Sequence, residues 1–172
     1  MRRRHQAMNI RTATVRDMAG IMQIISQAQA CLKSMGIDQW QNGYPARQDI
    51  LLDIRTGSAH VLQDGEETVA YACISFAEEK HYRQIRGQWQ SSLPCAVVHR
   101  LAVHQERRGQ GLASGILQFA ETLCSSKGIH SIKVDTHADN TVMRHILTAN
   151  GYCHCGTVSF DDGAKMAFEK LL

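Results

Sequence analysis

The chain has few prolines and no long apolar run. Two prolines and an ordinary balance of apolar residues (44%) and charged residues (20%) exclude collagen-like and intrinsically disordered proteins. No apolar run approaches the about 18 residues that a membrane-spanning helix needs, so we expect no membrane partner. Neither an internal repeat nor a linker divides the 172 residues, which are enough for one self-sufficient domain.

The sequence also lacks the spacing of a metal site and the apolar core of a signal peptide. Its six cysteines are scattered, and only Cys153 and Cys155 lie close together. Because no second pair stands at zinc-binding spacing, we expect no metal and interpret the cysteines as reduced thiols. Asn9, Arg11 and Thr12 interrupt the start of the chain where a signal peptide is apolar, so we expect a cytoplasmic protein.

The net charge of +3 is unevenly distributed along the chain. Five arginines and no acidic residue lie within residues 1–16, whereas 16 acidic residues outnumber the remaining 14 basic ones. A run such as MRRRHQ is typical of a solvated tail. We therefore predict a flexible basic tail at residues 1–7, followed by one domain at residues 8–172. The alternative, an arm that binds nucleic acid, depends on Arg2–Arg4 alone, so we expect no nucleic-acid partner.

The spacing of apolar residues predicts the element order β-α-α-β-β-β-α-β-α-β-β, which is typical of a mixed α/β sheet in one domain. Apolar residues recur at helical spacing after Thr14, so the first helix is predicted to run to about Ser34. Asp64-Gly65 is typical of a hairpin turn. Residues 77–93 are polar, and that stretch is predicted to be a mostly irregular, mobile loop containing Trp89.

One segment, residues 98–113, has the pattern of an anion site. A predicted strand ends at Val103, Gly109 and Gly111 follow, and a helix begins at once. Glycines let the backbone approach an anion, and the unpaired amides of a helix start point at its oxygens. Arg107 and Arg108 are expected to add favourable charge. The pattern is neither a P-loop nor a dinucleotide fingerprint, and an ordinary glycine-rich turn is the alternative.

Four landmarks in the sequence resemble those of the GNAT acyltransferases. Arg108–Ala113 matches the Arg/Gln-x-x-Gly-x-Gly/Ala signature of that family, and Leu101–His104 resembles its fourth strand. Asp135–Asn140 looks like the end of its fifth strand with the asparagine that opens the next helix. Gly151-Tyr152 resembles the start of its sixth strand. The element order agrees from Asn9 to the end, so the resemblance covers nearly the whole chain.

The resemblance implies a fold, a reaction and an acyl donor. The fold is a single-domain mixed, mostly antiparallel sheet with splayed central strands, flanked by helices. The reaction is N-acetyl transfer from acetyl-CoA, with strand backbone pairing to the pantetheine, loop amides holding the pyrophosphate, and Asn140 bonding the pantetheine arm or a nearby water. A helix cap is the alternative role for Asn140. The implied cofactor-binding residues are Leu101, Ala102, Val103, Arg108, Gly109, Gln110, Gly111, Leu112, Ala113 and Asn140.

The family's mechanism is direct attack of an amine on the thioester, so a base must take up a proton. Asp135 is the first candidate base, His137 the second and His99 the third. The alternative role for Asp135 is bonding to backbone amides at the strand end. The family often has an acid tyrosine where this chain has Leu147, so no general acid is assigned; Tyr152 is a substitute whose position matches a packing aromatic.

In this family the acceptor site includes the loop between the first two helices. Here Asp38 is expected to attract a cationic amine, while Trp40 and Tyr44 line the pocket; a core-packed Trp40 is the alternative. The acceptor is predicted to be a small-molecule or peptide amine. The family resemblance also favours a homodimer. A non-catalytic CoA-binding sensor is the second hypothesis for function, because the tyrosine is missing.

Overall fold

The computed structural model describes residues 8–172, so the predicted tail at residues 1–7 lies outside the described residues. Within that range the element order matches the predicted one, with one additional two-residue strand, β4. The strands are β1 (Asn9–Thr12), β2 (Ala59–Asp64), β3 (Glu67–Ser75), β4 (Arg86–Gly87), β5 (Ala96–Val103), β6 (Ser131–Thr136), β7 (Cys153–Phe160) and β8 (Gly163–Leu171). The helices are α1 (Met18–Ser34), α2 (Arg47–Arg55), α3 (Leu112–Ser126) and α4 (Thr141–Ala149).

Helix α1 shows how the sequence fixes one of these elements. Its apolar residues Ile21, Ile24 and Ile25 fall on one face and are fully buried, which is the pattern of an amphipathic helix. A single 3-10 turn precedes it, and there the Asp17 carboxylate accepts a hydrogen bond from the Thr14 backbone N–H (2.7 Å). Gly36, with φ +72°, follows the last turn, and its left-handed backbone ends the helix.

The eight described strands form one sheet in the order β1-β2-β3-β5-β6-β8-β7-β4. All neighbouring pairs are antiparallel except β5 and β6, which are parallel. The predicted mixed, mostly antiparallel sheet in a single α/β domain is therefore confirmed. The hairpin between β2 and β3 turns at Asp64-Gly65, as predicted, because Asp64 pairs with Glu67.

Helices cover both faces of the sheet. On one face, Ile116 and Leu117 of α3 and Leu147 of α4 join the apolar cluster that contains Val98 of β5. On the other face, α1 and α2 pack over β2 and β3 around Tyr71. Because successive residues of a strand point to opposite faces, the two clusters lie on either side of the sheet.

The sheet opens between its two parallel strands. β5 pairs with β6 only from Ala96 to Val98, whereas β6 continues to Thr136 paired with β8 alone. Arg100 has a left-handed backbone (φ +54°), and the β3–β5 register shifts around it. An extra residue of this kind is a β-bulge, which bends a strand away from its neighbour. The gap beyond Val98 and Val134 is called the split below, and it gives the predicted splayed central strands.

Residues 77–93, called the covering segment below, differ from the predicted irregular loop. They contain a 3-10 turn at Lys80–Arg83 and strand β4, which pairs with β7. Tyr82 is buried with Val97 of β5, on the sheet face opposite Val98, and the Trp89 indole N–H donates to the Tyr82 carbonyl (3.0 Å). The segment therefore covers part of the same face as α1 and α2.

Candidate active site

A cleft of about 1570 Å³ lies at the split. On one side of the sheet it reaches Gly111 and Asn140, at the starts of α3 and α4. On the other side it reaches Tyr44 of the α1–α2 loop and Glu79 of the covering segment. A cavity that passes through a sheet lets two substrates meet from opposite faces.

Most of the residues predicted to form the site line this cleft. The lining ones are Leu101, Ala102, Val103, Arg108, Gly109, Gly111, Leu112, Ala113, Asn140, Asp135, His99, Trp40 and Tyr44. Three predicted residues, Gln110, Asp38 and His137, are not part of the lining. Gln110 and Asp38 are exposed, while the His137 Nδ1 accepts a hydrogen bond from the Asp139 backbone N–H (3.2 Å).

The glycine loop has the conformation that its sequence favours. Gly109 and Gly111 have φ values of +75° and +76°, a region that L side chains adopt only with strain. The first amide that bonds within α3 is Gly115, to the Gly111 carbonyl (3.0 Å). The three preceding helix amides therefore have no intrahelical acceptor. A Cβ built on either glycine meets no atom within 4 Å, so the loop is open on the side that faces the cleft.

Arg107 does not provide the free positive charge that was expected beside this loop. Its guanidinium lies 3.0 Å from the Asp64 carboxylate and 2.8 Å from that of Glu67. Two carboxylates at these distances neutralise the guanidinium and hold it against the β2–β3 hairpin. Arg108, by contrast, is exposed and lines the cleft.

Asn140 has two hydrogen-bonding roles in the structure. Its Oδ1 accepts from the Met143 backbone N–H (3.2 Å), which makes it the N-cap of α4. Its Nδ2 donates to Oε1 of Gln39 (3.1 Å), a buried residue of the α1–α2 loop. The sequence pattern did not identify Gln39, because this contact joins residues about 100 positions apart and leaves no local signal.

Asp135 and His99 lie on the two strands that border the split. The Tyr82 hydroxyl donates to the Asp135 carboxylate (2.6 Å), and this contact differs from the expected bonds to backbone amides. Burial raises the pKa of Asp135, against the effects of the Tyr82 hydrogen bond and of His99. Burial likewise lowers the pKa of His99, with Asp135 acting in the opposite direction. Burial therefore disfavours the charged form of each group, while each group favours the charged form of the other.

Neither Leu147, which replaces the family's acid tyrosine, nor the candidate substitute Tyr152 lies in the cleft. Leu147 is fully buried in the apolar core below α3 and α4. Tyr152 belongs to the same core, and its hydroxyl has no hydrogen-bond partner among the described residues. Tyr152 is therefore a packing aromatic, as its sequence position indicated.

The α1–α2 loop contributes one buried and one accessible aromatic ring. Trp40 packs with the α1 core while its edge lines the cleft. The Tyr44 hydroxyl accepts a hydrogen bond from Arg100 (2.7 Å). Arg100 also donates through Nε to the carboxylate of Asp53 (2.8 Å), a buried residue of α2. That carboxylate accepts a second hydrogen bond from the Tyr71 hydroxyl (2.5 Å). In the sequence, the one indication that Asp53 is buried is its position three residues after Ile50, on the same face of α2.

The described residues lack both a metal-binding cluster and a membrane-spanning helix. Residues 8–172 contain no group of three or more His, Cys, Asp and Glu side chains arranged to hold a metal ion. No helix in the same range has the length and hydropathy to cross a membrane.

The chain shares sequence and fold with known acetyltransferases. Residues 25–152 match the model of the Acetyltransferase (GNAT) family. The chain is 28% identical over 165 residues to the uncharacterized N-acetyltransferase YesJ of Bacillus subtilis (strain 168), with 92% of this chain and 87% of the relative covered.

Solved structures give the same result. A GNAT-family acetyltransferase from Streptococcus agalactiae 2603 is 35% identical, with a TM-score of 0.88 and 98% of both chains covered. The acetyltransferase yncA from Salmonella typhimurium, solved with its cofactor acetyl-CoA, shares the fold at 16% identity and a TM-score of 0.70, with 97% of this chain and 95% of that chain covered. The chain therefore belongs to the GNAT family of acetyltransferases.

Proposed function

We propose that the protein transfers an acetyl group from acetyl-CoA to a primary amine, by direct attack of the amine on the thioester. The observation that carries this proposal is the cleft through the split, with the glycine loop on one side and His99 and Asp135 at its centre. Acetyl-CoA enters from the α3 side and the amine from the α1–α2 side. Membership of the GNAT family and the acetyl-CoA in the yncA structure support this arrangement.

The residues of the chain fit the shape and charge of CoA. The unpaired amides at the start of α3 and the open glycines Gly109 and Gly111 suit the pyrophosphate. Leu101 and Val103 lie on the part of β5 that has lost its β6 neighbour, so that edge suits the amides of pantetheine. Asn140, at the mouth of the split, suits the pantetheine arm. Bound acetyl-CoA supplies the thioester that the amine attacks.

His99 is the proposed acceptor of the amine proton. The sequence favoured Asp135, but in the structure one carboxylate oxygen of Asp135 already accepts a hydrogen bond from the Tyr82 hydroxyl. Because burial lowers the pKa of His99, its ring is neutral near neutral pH and can accept a proton. Asp135 then stabilises the imidazolium that forms. His137 lies outside the cleft lining and has no role in this proposal.

The acceptor half of the cleft combines aromatic, apolar and acidic groups. Tyr44, Trp40, Glu79 and Asp161 all line the cleft. Arg100 and Asp53 neutralise each other in the α2 wall. A small-molecule or peptide amine suits such a site, because the acids attract the ammonium form and the rings contact its carbon chain.

An acetylation screen tests the proposal. Amines, polyamines, amino acids and short peptides are each mixed with acetyl-CoA and the protein, thiol release is followed, and acetylated products are identified by mass. We expect at least one amine to give a stoichiometric N-acetyl product. Tight binding of CoA by calorimetry without any product from the panel supports the sensor hypothesis instead, which the buried Leu147 favours.

The homodimer and the cytoplasmic location stay predictions from the sequence. Light scattering after size-exclusion chromatography tests the first, and fractionation of the source cells tests the second.

A further inference from the structure

The covering segment brings two ionisable side chains to His99. Glu79 Oε2 lies 3.6 Å from His99 Nε2, and Glu79 Oε1 lies 2.7 Å from His81 Nδ1. All three side chains line the cleft. His99 belongs to β5, whereas Glu79 and His81 lie at the start of the covering segment. Because two distant parts of the chain meet here, the contact reflects the tertiary fold rather than local sequence.

The three side chains form a path from the split to solvent. The side chains of His99 and Glu79 are each 19% exposed, and that of His81 is 42% exposed. The His81 ring stacks on Phe160, with centroids 4.3 Å apart, which holds it beside Glu79. The separation of 3.6 Å is longer than a hydrogen bond, but catalytic hydrogen bonds of ligand-free enzymes shorten when substrates bind.

We propose that Glu79 positions His99 and that Glu79 and His81 carry the proton of the acceptor amine from His99 to solvent. This inference rests on the proposed acetyl transfer. The amine N–H bond breaks as an N–H bond forms on the His99 ring. The imidazolium then gives its Nε2 proton to the Glu79 carboxylate, and the Glu79 carboxyl gives a proton to Nδ1 of His81 in the tautomer that carries its own proton on Nε2. His81 then releases the Nε2 proton to water. No electron is gained or lost in these steps.

The charges around His99 suit this role. Asp135 on β6, Glu79 on the covering segment and Asp53 on α2 stabilise its protonated form, while Arg100 on its own strand opposes it. Burial alone raises the pKa of Glu79, but its hydrogen bonds with the backbone and side chain of His81 outweigh that effect and lower it. Glu79 therefore remains ionised beside the ring.

A purely structural role for Glu79 is the competing explanation. Its Oε1 accepts the His81 backbone N–H (3.1 Å) and so caps the 3-10 turn. Glutamine keeps a carbonyl oxygen that can accept this hydrogen bond but has no charge. The substitution Glu79→Gln therefore separates capping from proton transfer.

The test is the pH dependence of kcat/KM from about pH 5 to about pH 9, with an amine found in the screen. Glu79→Gln is expected to lower the plateau about tenfold. It should also move the acid limb to lower pH, because the lost negative charge lowers the pKa of His99. The matched control is Glu78→Gln, one residue earlier, whose carboxylate forms an exposed pair with Arg83; its profile should match that of the wild type. A Glu79→Gln profile that superposes on the wild type overturns the proposal.

A double-mutant cycle shows whether Glu79 acts through His99. His99→Gln is expected to lower kcat/KM about a hundredfold, and Glu79→Gln should add no further loss in that background. Full additivity of the two losses contradicts the relay. His81→Phe keeps a stacked ring on Phe160 and should lower the rate about threefold, with recovery when imidazole is added. An unchanged rate in His81→Phe shows that His81 does not carry the proton.

A readout without turnover separates this inference from the proposed function. If the wild-type protein acetylates no amine, the proposed function fails. The pKa of His99 is then measured by NMR titration of the histidine rings in the ligand-free protein. The relay geometry requires that Glu79→Gln lowers this pKa and that Glu78→Gln leaves it unchanged. An unchanged His99 pKa in Glu79→Gln overturns the inference without any enzyme assay.

Discussion

Gly111 and Gly115 lie four residues apart at the start of α3, but only the first has a left-handed backbone (φ +76°). A Cβ at either position meets no protein atom within 4 Å, so crowding by the protein does not distinguish them. The difference is conformational, since alanine in the left-handed region costs about 1 kcal/mol, whereas alanine in place of a helical glycine gains about 0.5–1 kcal/mol.

This contrast gives a paired prediction. Gly111→Ala should lower the free energy of unfolding and weaken acetyl-CoA binding at least about tenfold, or 1.4 kcal/mol, because a Cβ strains the left-handed loop whose amides are proposed to bind the pyrophosphate. Gly115→Ala should raise the free energy of unfolding and leave the affinity unchanged. Urea unfolding and calorimetry measure the two effects. Equal CoA affinity in both variants contradicts the pyrophosphate assignment.

The buried ion pair between Asp53 and Arg100 supports the bulge at the split. Asp53 is almost fully buried and receives hydrogen bonds from Arg100 and Tyr71. Asp53→Asn leaves the Arg100 charge without its counter-ion, so the free energy of unfolding should fall by about 3 kcal/mol. In the exposed Glu78–Arg83 pair, Glu78→Gln should leave the free energy of unfolding nearly unchanged. Chemical denaturation of both variants makes the comparison, and equal small losses are incompatible with a supporting role.

At the scale of elements, the covering segment is where the sequence was least informative. Helix α1 and the β2–β3 hairpin were predictable, because periodic apolar residues and Asp64-Gly65 are local signals. Strand β4 has two residues and no period to detect. The segment is fixed by Glu169 on β8, about 79 residues away, which accepts hydrogen bonds from the Gln90 N–H (2.5 Å) and the Ser91 hydroxyl (2.8 Å). Contacts of that range leave no pattern in the local sequence.

This anchor is testable. Glu169 is fully buried and also accepts a hydrogen bond from the Ser131 hydroxyl (2.7 Å), so three donors converge on one carboxylate. Glu169→Gln places an NH₂ group among those donors and should lower the free energy of unfolding by about 2 kcal/mol. Hydrogen exchange of the amides in residues 88–91 should accelerate. The control is Glu66→Gln in the exposed β2–β3 turn, and unchanged exchange in Glu169→Gln excludes the anchor.

At the scale of the whole molecule, the site follows from topology more than from any one motif. Four landmarks predicted the family, the splayed strands and the part of the cleft lining around the glycine loop and Asn140, because these features depend on residues close in sequence. Gln39, Asp53, Glu79 and Tyr82 were not predicted, because each contacts a residue of the site from a helix, loop or turn that is far away in the sequence. The family pattern therefore locates the site, while this chain's own loops determine its proton chemistry.

The same burial makes the stability of the molecule depend on pH. Burial lowers the pKa of His60 and of His99, so the unfolded chain binds protons more readily than the folded one. The contribution of these two histidines to the free energy of unfolding should therefore be complete above the unfolded histidine pKa of about 6.5. It should be lost as the pH decreases through their folded pKa values. Asp135 acts in the opposite direction, because its pKa is raised and its protonation favours the folded state in a more acidic range.

Urea unfolding at a series of pH values from about 7.5 to about 5.5 measures this dependence. His60→Gln and His99→Gln should each flatten the curve, because each removes one group that binds a proton on unfolding. His130→Gln is the control, since the side chain of His130 is exposed. A wild-type stability that stays constant or rises on acidification contradicts the buried, neutral state of His99, and with it the proposal that this ring accepts the amine proton.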